Sequence, residues 1–349
     1  MRIAVLGGGN GSFAAAADFS EAGHDVTLWR TRPAEVRPGP ICLKDFSGTR
    51  DTHPRITADL AEAVRGAALV FAPAPATTHV GLAPLLGPLL SPGQVVFLAP
   101  GTLGSVILAR HAPAGVAFAE TGTLPWLARK HAADLVAITV RAKRLPTGVF
   151  PRVLAPMAFP ILQAAFPGVI EDCGDALSGA LMNAGPIIHP PLITMNAGPL
   201  EHFPRWDIHK EGTQPAIRRV TTALDAERMA VREALGYGAP HFPLADHYAK
   251  EGDEWMYGRG SHDRLTDSGD WRENIVLTEH RYMREDVALG LSLICDAGRA
   301  AGVATPLAAA FLAIGGAVCG EDFSAARTLA ACGLPAGKAA REGVLADGF

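Results

Sequence analysis

Apolar and polar positions follow two regimes along the chain. Arg2–Leu6 is a short apolar run that opens directly onto glycines, as a buried parallel strand does. Ser12–Ala22 has helical spacing, with Phe13, Ala16, Ala17 and Phe19 as its apolar positions, and Gly23 supplies a left-handed stop. Asp25–Trp29 reads as a second strand. Strand, glycine turn, helix and strand in this order make the first half of a dinucleotide-binding unit. The alternation continues with helix over 60–65, strand over 68–72, helix over 80–90 and strands over 95–99 and 116–120. Leu135–Val140 and Gly148–Phe150 then read as a closing hairpin or edge pair. From Gly174 onwards helical periodicity takes over, at 176–183, 190–195, 217–235, 285–301 and 306–318. The pattern predicts an α/β Rossmann domain with a mostly parallel sheet over 1–172, followed by an all-α domain over 173–349. The stretch 250–271, rich in Gly, Asp, Ser and charge, predicts a long loop, mobile or folded over a site.

Composition fits that division. A chain of 349 residues exceeds one ordinary core, and 48% hydrophobic against 19% charged residues allows large ones. A net charge of −4 offers no electrostatic case for nucleic acid or an anionic membrane, so neither is expected as a partner. Cys42, Cys173, Cys295, Cys319 and Cys332 form no CxxC pair, and their odd number argues against a disulfide framework. With an N-terminus, MRIAVLGGGN, that lacks signal-peptide architecture, a cytoplasmic protein is expected. The twelve His form no ligand-spaced cluster, so no metal is expected.

The chemistry starts at Gly7-Gly8-Gly9-Asn10-Gly11-Ser12. Gly7 allows the tight turn, Gly9 lets backbone approach a pyrophosphate, and Ser12 stands where a third small residue is needed for helix–strand packing. A shifted register of Gly9, Gly11 and Ala14 also fits. In either register the helix N-terminus offers free N–H groups to a phosphate. The end of the second strand then selects the cofactor. NAD enzymes usually carry an acidic residue there for the ribose 2′-hydroxyl, whereas this chain reads Trp29-Arg30-Thr31-Arg32. Arg30 and Arg32 offer bidentate donors to a 2′-phosphate, so NADPH is expected over NADH; the alternative is that both are solvated surface charges.

Two further clusters carry candidate catalysis. In NAGPIIHPP, 183–191, His189 precedes two prolines and is expected at a helix N-terminus, which would lower its pKa; it is also open to a plain core role. In HRYMREDV, 280–287, Asp286 is placed either to cap the following helix or to pair with His189 across a cleft. A carboxylate on one imidazole nitrogen fixes the tautomer and leaves the other to exchange a proton with substrate. Arg281 would hold a substrate carboxylate.

These segments, with PGTLG at 100–104, ETGTLPWLAR at 120–129, LDAER at 224–228 and AGVATPL at 301–307, resemble the opine dehydrogenases, the octopine/nopaline dehydrogenase group, over nearly the whole length. The resemblance implies reductive condensation of an amino acid with a 2-oxo acid by NAD(P)H, giving a secondary-amine dicarboxylate. It implies His189 and Asp286 as catalytic residues, Arg281 as the substrate-carboxylate ligand, and a site between the two domains. Asn183 and Asn196 are possible substrate contacts or helix-end caps. The cofactor set is Gly7, Gly9, Asn10, Gly11, Ser12, Arg30, Arg32 and Thr121, and a homodimer is expected. Two other classes stay open. One is a reductase of the same two-domain plan acting on a hydroxy or oxo acid, which would carry a catalytic Lys that the segment around His189 lacks; the other is a nucleotide-sensing protein without turnover.

Overall fold

The protein is described by a computed structural model covering residues 1–37 and 39–349. Its strands are β1 (Arg2–Leu6), β2 (Asp25–Trp29), β3 (Ile41–Asp45), β4 (Gly48–Thr52), β5 (Arg55–Thr57), β6 (Leu69–Ala72), β7 (Val95–Leu98), β8 (Ala117–Thr121), β9 (Trp126–Lys130), β10 (Leu135–Arg141), β11 (Leu145–Phe150) and β12 (Ile170–Asp175). Eight of them form one sheet in the order β12-β11-β8-β7-β6-β1-β2-β5. Every pairing in it is parallel except β11 with β8. Ile3, Ala4, Val5 and Leu6 are all buried, because β1 is paired on both edges and covered on both faces. The strand order reverses at β1, which lies between β2 and β6, and ligands of such sheets bind at that crevice.

Helix Asn10–Glu21 is buried over more of its girth than its spacing predicts. Ala14, Ala15, Ala16 and Ala17 are all fully buried, together with Phe13 and Phe19. A second sheet, β4-β3-β10-β9, packs on the side of this helix away from β1 and β2. Small side chains let both sheets approach. Asp18 lies between them, accepting from Trp126 Nε1 at 2.7 Å and from Arg141 at 2.6 Å.

Five strands, β3 to β5, β9 and β12, were not legible in the sequence, and one pairing is corrected. β10 and β11 are not a hairpin: β10 pairs with β3 and β9 in the small sheet, and β11 with β8 and β12 in the large one. The connecting Ala142-Lys143-Arg144 contains no Gly or Asn for a tight reversal. Instead the Lys143 and Arg144 N–H groups donate to the Met256 carbonyl as the chain crosses between sheets.

Beyond β12 the chain is helical apart from a two-residue ladder of Trp206–Asp207 with Arg272–Glu273. Helix Gly185–Met195 packs on the π-helical segment Tyr282–Leu291, which runs on into helix Ser292–Ala301. Helices Pro215–Ala234 and Pro306–Cys319 support this pair. Arg228, ion-paired to Asp225 at 2.6 Å and donating to the Leu181 carbonyl, fixes the entry to the His189 helix. Glu227 accepts the N–H groups of Leu307 and Ala308, the open donors at the start of Pro306–Cys319. These contacts account for the LDAER motif. The stretch 250–271 is a folded wall: Trp255, Met256 and Tyr257 are buried, and Ser261–Asp267 is a helix. No helix among the described residues is long and apolar enough to cross a membrane.

Candidate active site

The glycine turn has the shape a dinucleotide needs. Gly7 has φ +112°, a region costly to any residue with a Cβ. A Cβ on Gly9 would meet nothing within 4 Å, so the helix N-terminus that starts at Asn10 is open. The Ser12 hydroxyl donates to the Leu6 carbonyl at 3.1 Å, which is how a serine is accommodated at the third position. Asn10 accepts from the Lys130 N–H at 2.9 Å and ties the turn to β9. Gly11 faces Leu124 and Pro73, where a Cβ would crowd the Leu124 side chain.

Arg30 folds back over this turn. It is 8% exposed, and its guanidinium lies so close to Gly8 that a Cβ there would sit 1.9 Å from Nη1. Nη2 pairs with Glu35 at 2.6 Å, while Nε and Nη1 are buried with no partner. Unpaired buried donors beside a helix N-terminus fit an anionic phosphate. Arg32 is exposed and also pairs with Glu35, at 3.1 Å. Glu35 is a carboxylate that sequence distance concealed; Arg30 and Arg32 hold its pKa below the usual value. Thr121 is not brought to the cleft. It is fully buried and donates to the Pro146 carbonyl, a bond that belongs to the β8–β11 pairing.

One cavity of about 440 Å³ joins Gly9–Gly11 to His189, Arg281 and Asp286. His189 Nδ1 and Asp286 Oδ2 lie 2.7 Å apart, and both residues are buried. The expected position of His189 is corrected: the helix begins at Gly185, so His189 lies within it and not at its N-terminus. Pro190 and Pro191 are also inside, and the Asn183 Oδ1 accepts the Gly185 N–H to start the helix upstream. Asp286 caps nothing; it lies within the π-helical segment, whose wide turns recur at functional sites. The pair thus forms between two adjoining helices on one wall, not across the cleft. Two glycines allow it. A Cβ on Gly185 would lie 2.1 Å from Asp286 Oδ1, and one on Gly290 would lie 2.2 Å from Pro186 Cγ.

Electrostatics follow from this burial. Desolvation, helped by the Arg281 charge, drives the His189 pKa well below its ordinary value. Burial pushes Asp286 up against the opposing pull of Arg281. The resting state is therefore a neutral imidazole, with Nδ1–H donated to Asp286 and Nε2 left for the cavity. Tyr282 stacks on the His189 ring at 3.6 Å between centroids and 9° between planes, and its hydroxyl is 2.9 Å from His209 Nε2. Arg281 opens to the cavity and, among the described residues, makes no ion pair or hydrogen bond. Its guanidinium lies 5.6 Å from the Tyr282 ring centroid. Asn183 lines the cavity, but its amide is already engaged: Nδ2 donates to Thr102 Oγ1 at 3.1 Å. Asn196 is a helix-end residue, donating to the Leu192 carbonyl.

Several residues of the site had no distinguishing signal in the sequence. Glu285 accepts from the Ala76 N–H at 2.8 Å, its Oε2 is buried without a partner, and burial raises its pKa to about 7. Thr102 sits in the PGTLG turn, where Leu103 N–H and the Ser105 hydroxyl both donate to the buried Glu120. Among the described residues no group of His, Cys, Asp and Glu is arranged to hold a metal ion.

The fold and the cleft together define a two-domain, Rossmann-type dehydrogenase. Residues 172–319 are similar to the NAD/NADP octopine/nopaline dehydrogenase alpha-helical domain. It is 26% identical over 347 residues to an opine dehydrogenase of Arthrobacter sp. (strain 1C), covering 95% of this chain and 94% of that one. The fold matches octopine dehydrogenase with NADH and pyruvate at a TM-score of 0.69 and 18% identity, over 98% of both chains. It matches NADP+-bound yersinopine dehydrogenase at 0.68 and 14% identity, over 99% of this chain and 98% of that one.

Proposed function

We propose that this chain is an NADPH-preferring opine dehydrogenase that joins an amino acid to a 2-oxo acid, with His189 as the proton-transfer residue. The observation that carries the reading is the 2.7 Å His189–Asp286 pair opening into the same cavity as the glycine turn. The nicotinamide cofactor supplies the hydride when bound, held by the turn Gly7 to Ser12 and by Arg30. Arg281, unpaired in the cavity, takes a substrate carboxylate through its guanidinium fork. His189 Nε2 accepts the proton of the amino acid's ammonium, and the imidazolium is stabilised by Asp286. The free amine then adds to the oxo carbon, with one N–H proton passing to the oxygen. The imidazolium returns its proton to that hydroxyl, water leaves, and the iminium carbon accepts hydride. The secondary amine takes its last proton from solvent. Each cycle leaves His189 neutral again.

Support for NADPH comes from the two unpaired donors of Arg30 and from Arg32 close by. A 2′-phosphate would take the place that Glu35 now holds. On this reading Asn183 positions Thr102 and the start of the His189 helix and leaves substrate contact to Arg281. The first domain, on this reading, runs through β12 to Asp175, a little beyond the expected boundary at 172. All five cysteines are free, which suits a reducing cytoplasm. The homodimer rests on family resemblance, and sedimentation tests it.

The test of function is reduced-cofactor oxidation with amino acids and 2-oxo acids, separately and together. Oxidation that needs only the oxo acid would sink the proposal in favour of a hydroxy-acid reductase. Against that second reading stands a cavity lining without lysine among the described residues.

A further inference from the structure

The wall that continues from His189 away from the glycine turn is built from rings. His209 meets the His189 ring edge-on at 6.0 Å and Trp271 at 5.1 Å. From the 250–271 stretch, Trp255 meets His247 at 4.7 Å and Tyr257 at 5.7 Å. All of these line the cavity. Such a wall could suit either an apolar side chain or, through cation–π attraction, a cationic one. Two observations decide between them.

The protein's own cations already occupy ring faces. The Arg129 guanidinium lies 3.7 Å from the Trp271 ring centroid, and Arg218 lies 4.4 Å from that of Tyr248. A second cation would have to displace them from those rings. Among the described residues this stretch of wall also has no spare carboxylate: Glu273 is paired with Arg129 at 3.0 Å, and Asp286 is engaged by His189. Glu285 Oε2 is free, but it is anchored beside Ala76, just past the end of β6, where a dinucleotide bound at the glycine turn places its nicotinamide. Burial keeps His209, His247 and His262 neutral, so they bring no charge of their own.

We infer that the amine substrate is an amino acid with a neutral apolar or aromatic side chain, packed against the Trp271–His209 and Trp255–Tyr257 rings, and that cationic amino acids are rejected. The inference rests on the opine dehydrogenase reading above. With a 2-oxo acid held constant, kcat/KM for phenylalanine, leucine or methionine is expected to exceed that for arginine or lysine by at least about 30-fold, the discrimination set by burying a group without its partners. Trp271→Ala is expected to raise KM for phenylalanine about tenfold while changing that for alanine little, because the ring contact is lost only for the larger side chain. Preference for arginine or lysine in the native protein overturns the substrate class and leaves the opine reading standing. Equal KM changes for phenylalanine and alanine in Trp271→Ala overturn the ring contact. Absence of amine-dependent oxidation with any amino acid overturns the opine reading, and this inference falls with it.

Discussion

Asp286→Asn separates the two roles that the His189–Asp286 contact combines. The amide keeps the shape of the carboxylate and can still accept Nδ1–H, so the ring stays in place on Tyr282. What disappears is the negative charge facing the imidazolium that forms in each cycle. Two unit charges about 4 Å apart interact by about 4 kcal/mol at an effective dielectric constant near 20. A charge-assisted hydrogen bond has a net strength of about 1.5–3 kcal/mol. A loss of about 3 kcal/mol corresponds to about a 10²-fold fall in kcat. Steady-state oxidation of the reduced cofactor measures it, with cofactor affinity followed separately by fluorescence. Affinity should hold, since Asp286 does not touch the glycine turn. Thermal stability should not fall, because burial already raises the Asp286 pKa and its charge opposes folding. A variant that keeps kcat within about threefold, or loses cofactor affinity in parallel with kcat, would refute the proton-transfer pair.

Four further outcomes follow from the geometry. Arg281→Lys keeps the charge but loses the fork, so KM for the oxo acid should rise about 10- to 100-fold with cofactor binding unchanged, read from initial rates. Arg30→Ala should weaken NADPH binding about 10- to 100-fold and NADH much less, read by fluorescence titration; equal losses would place Arg30 on the pyrophosphate alone. Gly185→Ala puts a Cβ 2.1 Å from Asp286 Oδ1 and should lower kcat more than it raises KM. His79 is fully buried, and burial first, then the Arg327 charge, lowers its pKa from 6.5 to about 3. Below 6.5 the unfolded chain takes up a proton that the folded one refuses, so its stabilising contribution is complete above 6.5 and lost as pH falls towards 3. The slope is about 1.4 kcal/mol per pH unit, and His79→Gln should flatten the denaturant midpoint between pH 6.5 and 5 by that amount.

Much of this protein is local, and local features were legible. The Rossmann opening could be read because β1, the glycine turn, helix Asn10–Glu21 and β2 are consecutive, and each obeys its own short-range rule. Arg30 was visible as a candidate phosphate ligand because its place at the end of β2 is fixed by register alone. The Glu35 carboxylate against Arg30 was not, because the turn after β2 decides which neighbours fold back. Helix Asn10–Glu21 read as one-sided, since nothing in its spacing announces a second sheet; β3 and β4 are too short and too polar to declare themselves.

The reacting pair shows the division most sharply. The residue types and the HRYMREDV and NAGPIIHPP segments named His189, Asp286 and Arg281, partly through family resemblance. Their 97-residue separation gives no distance, and the prolines after His189 suggested a helix start that Asn183 and Gly185 place four residues earlier. Only packing of the π-helical segment against the His189 helix, with Gly185 and Gly290 removing the steric barrier, brings Nδ1 to 2.7 Å from Oδ2. Thr121 shows the same division in reverse. Its motif suggested the cofactor, but sheet pairing buries its hydroxyl against Pro146. Sequence thus determined which chemical groups the chain carries and the order of its elements. Tertiary structure decided which groups lose water together, and burial is what makes His189 neutral and lines the cavity with rings.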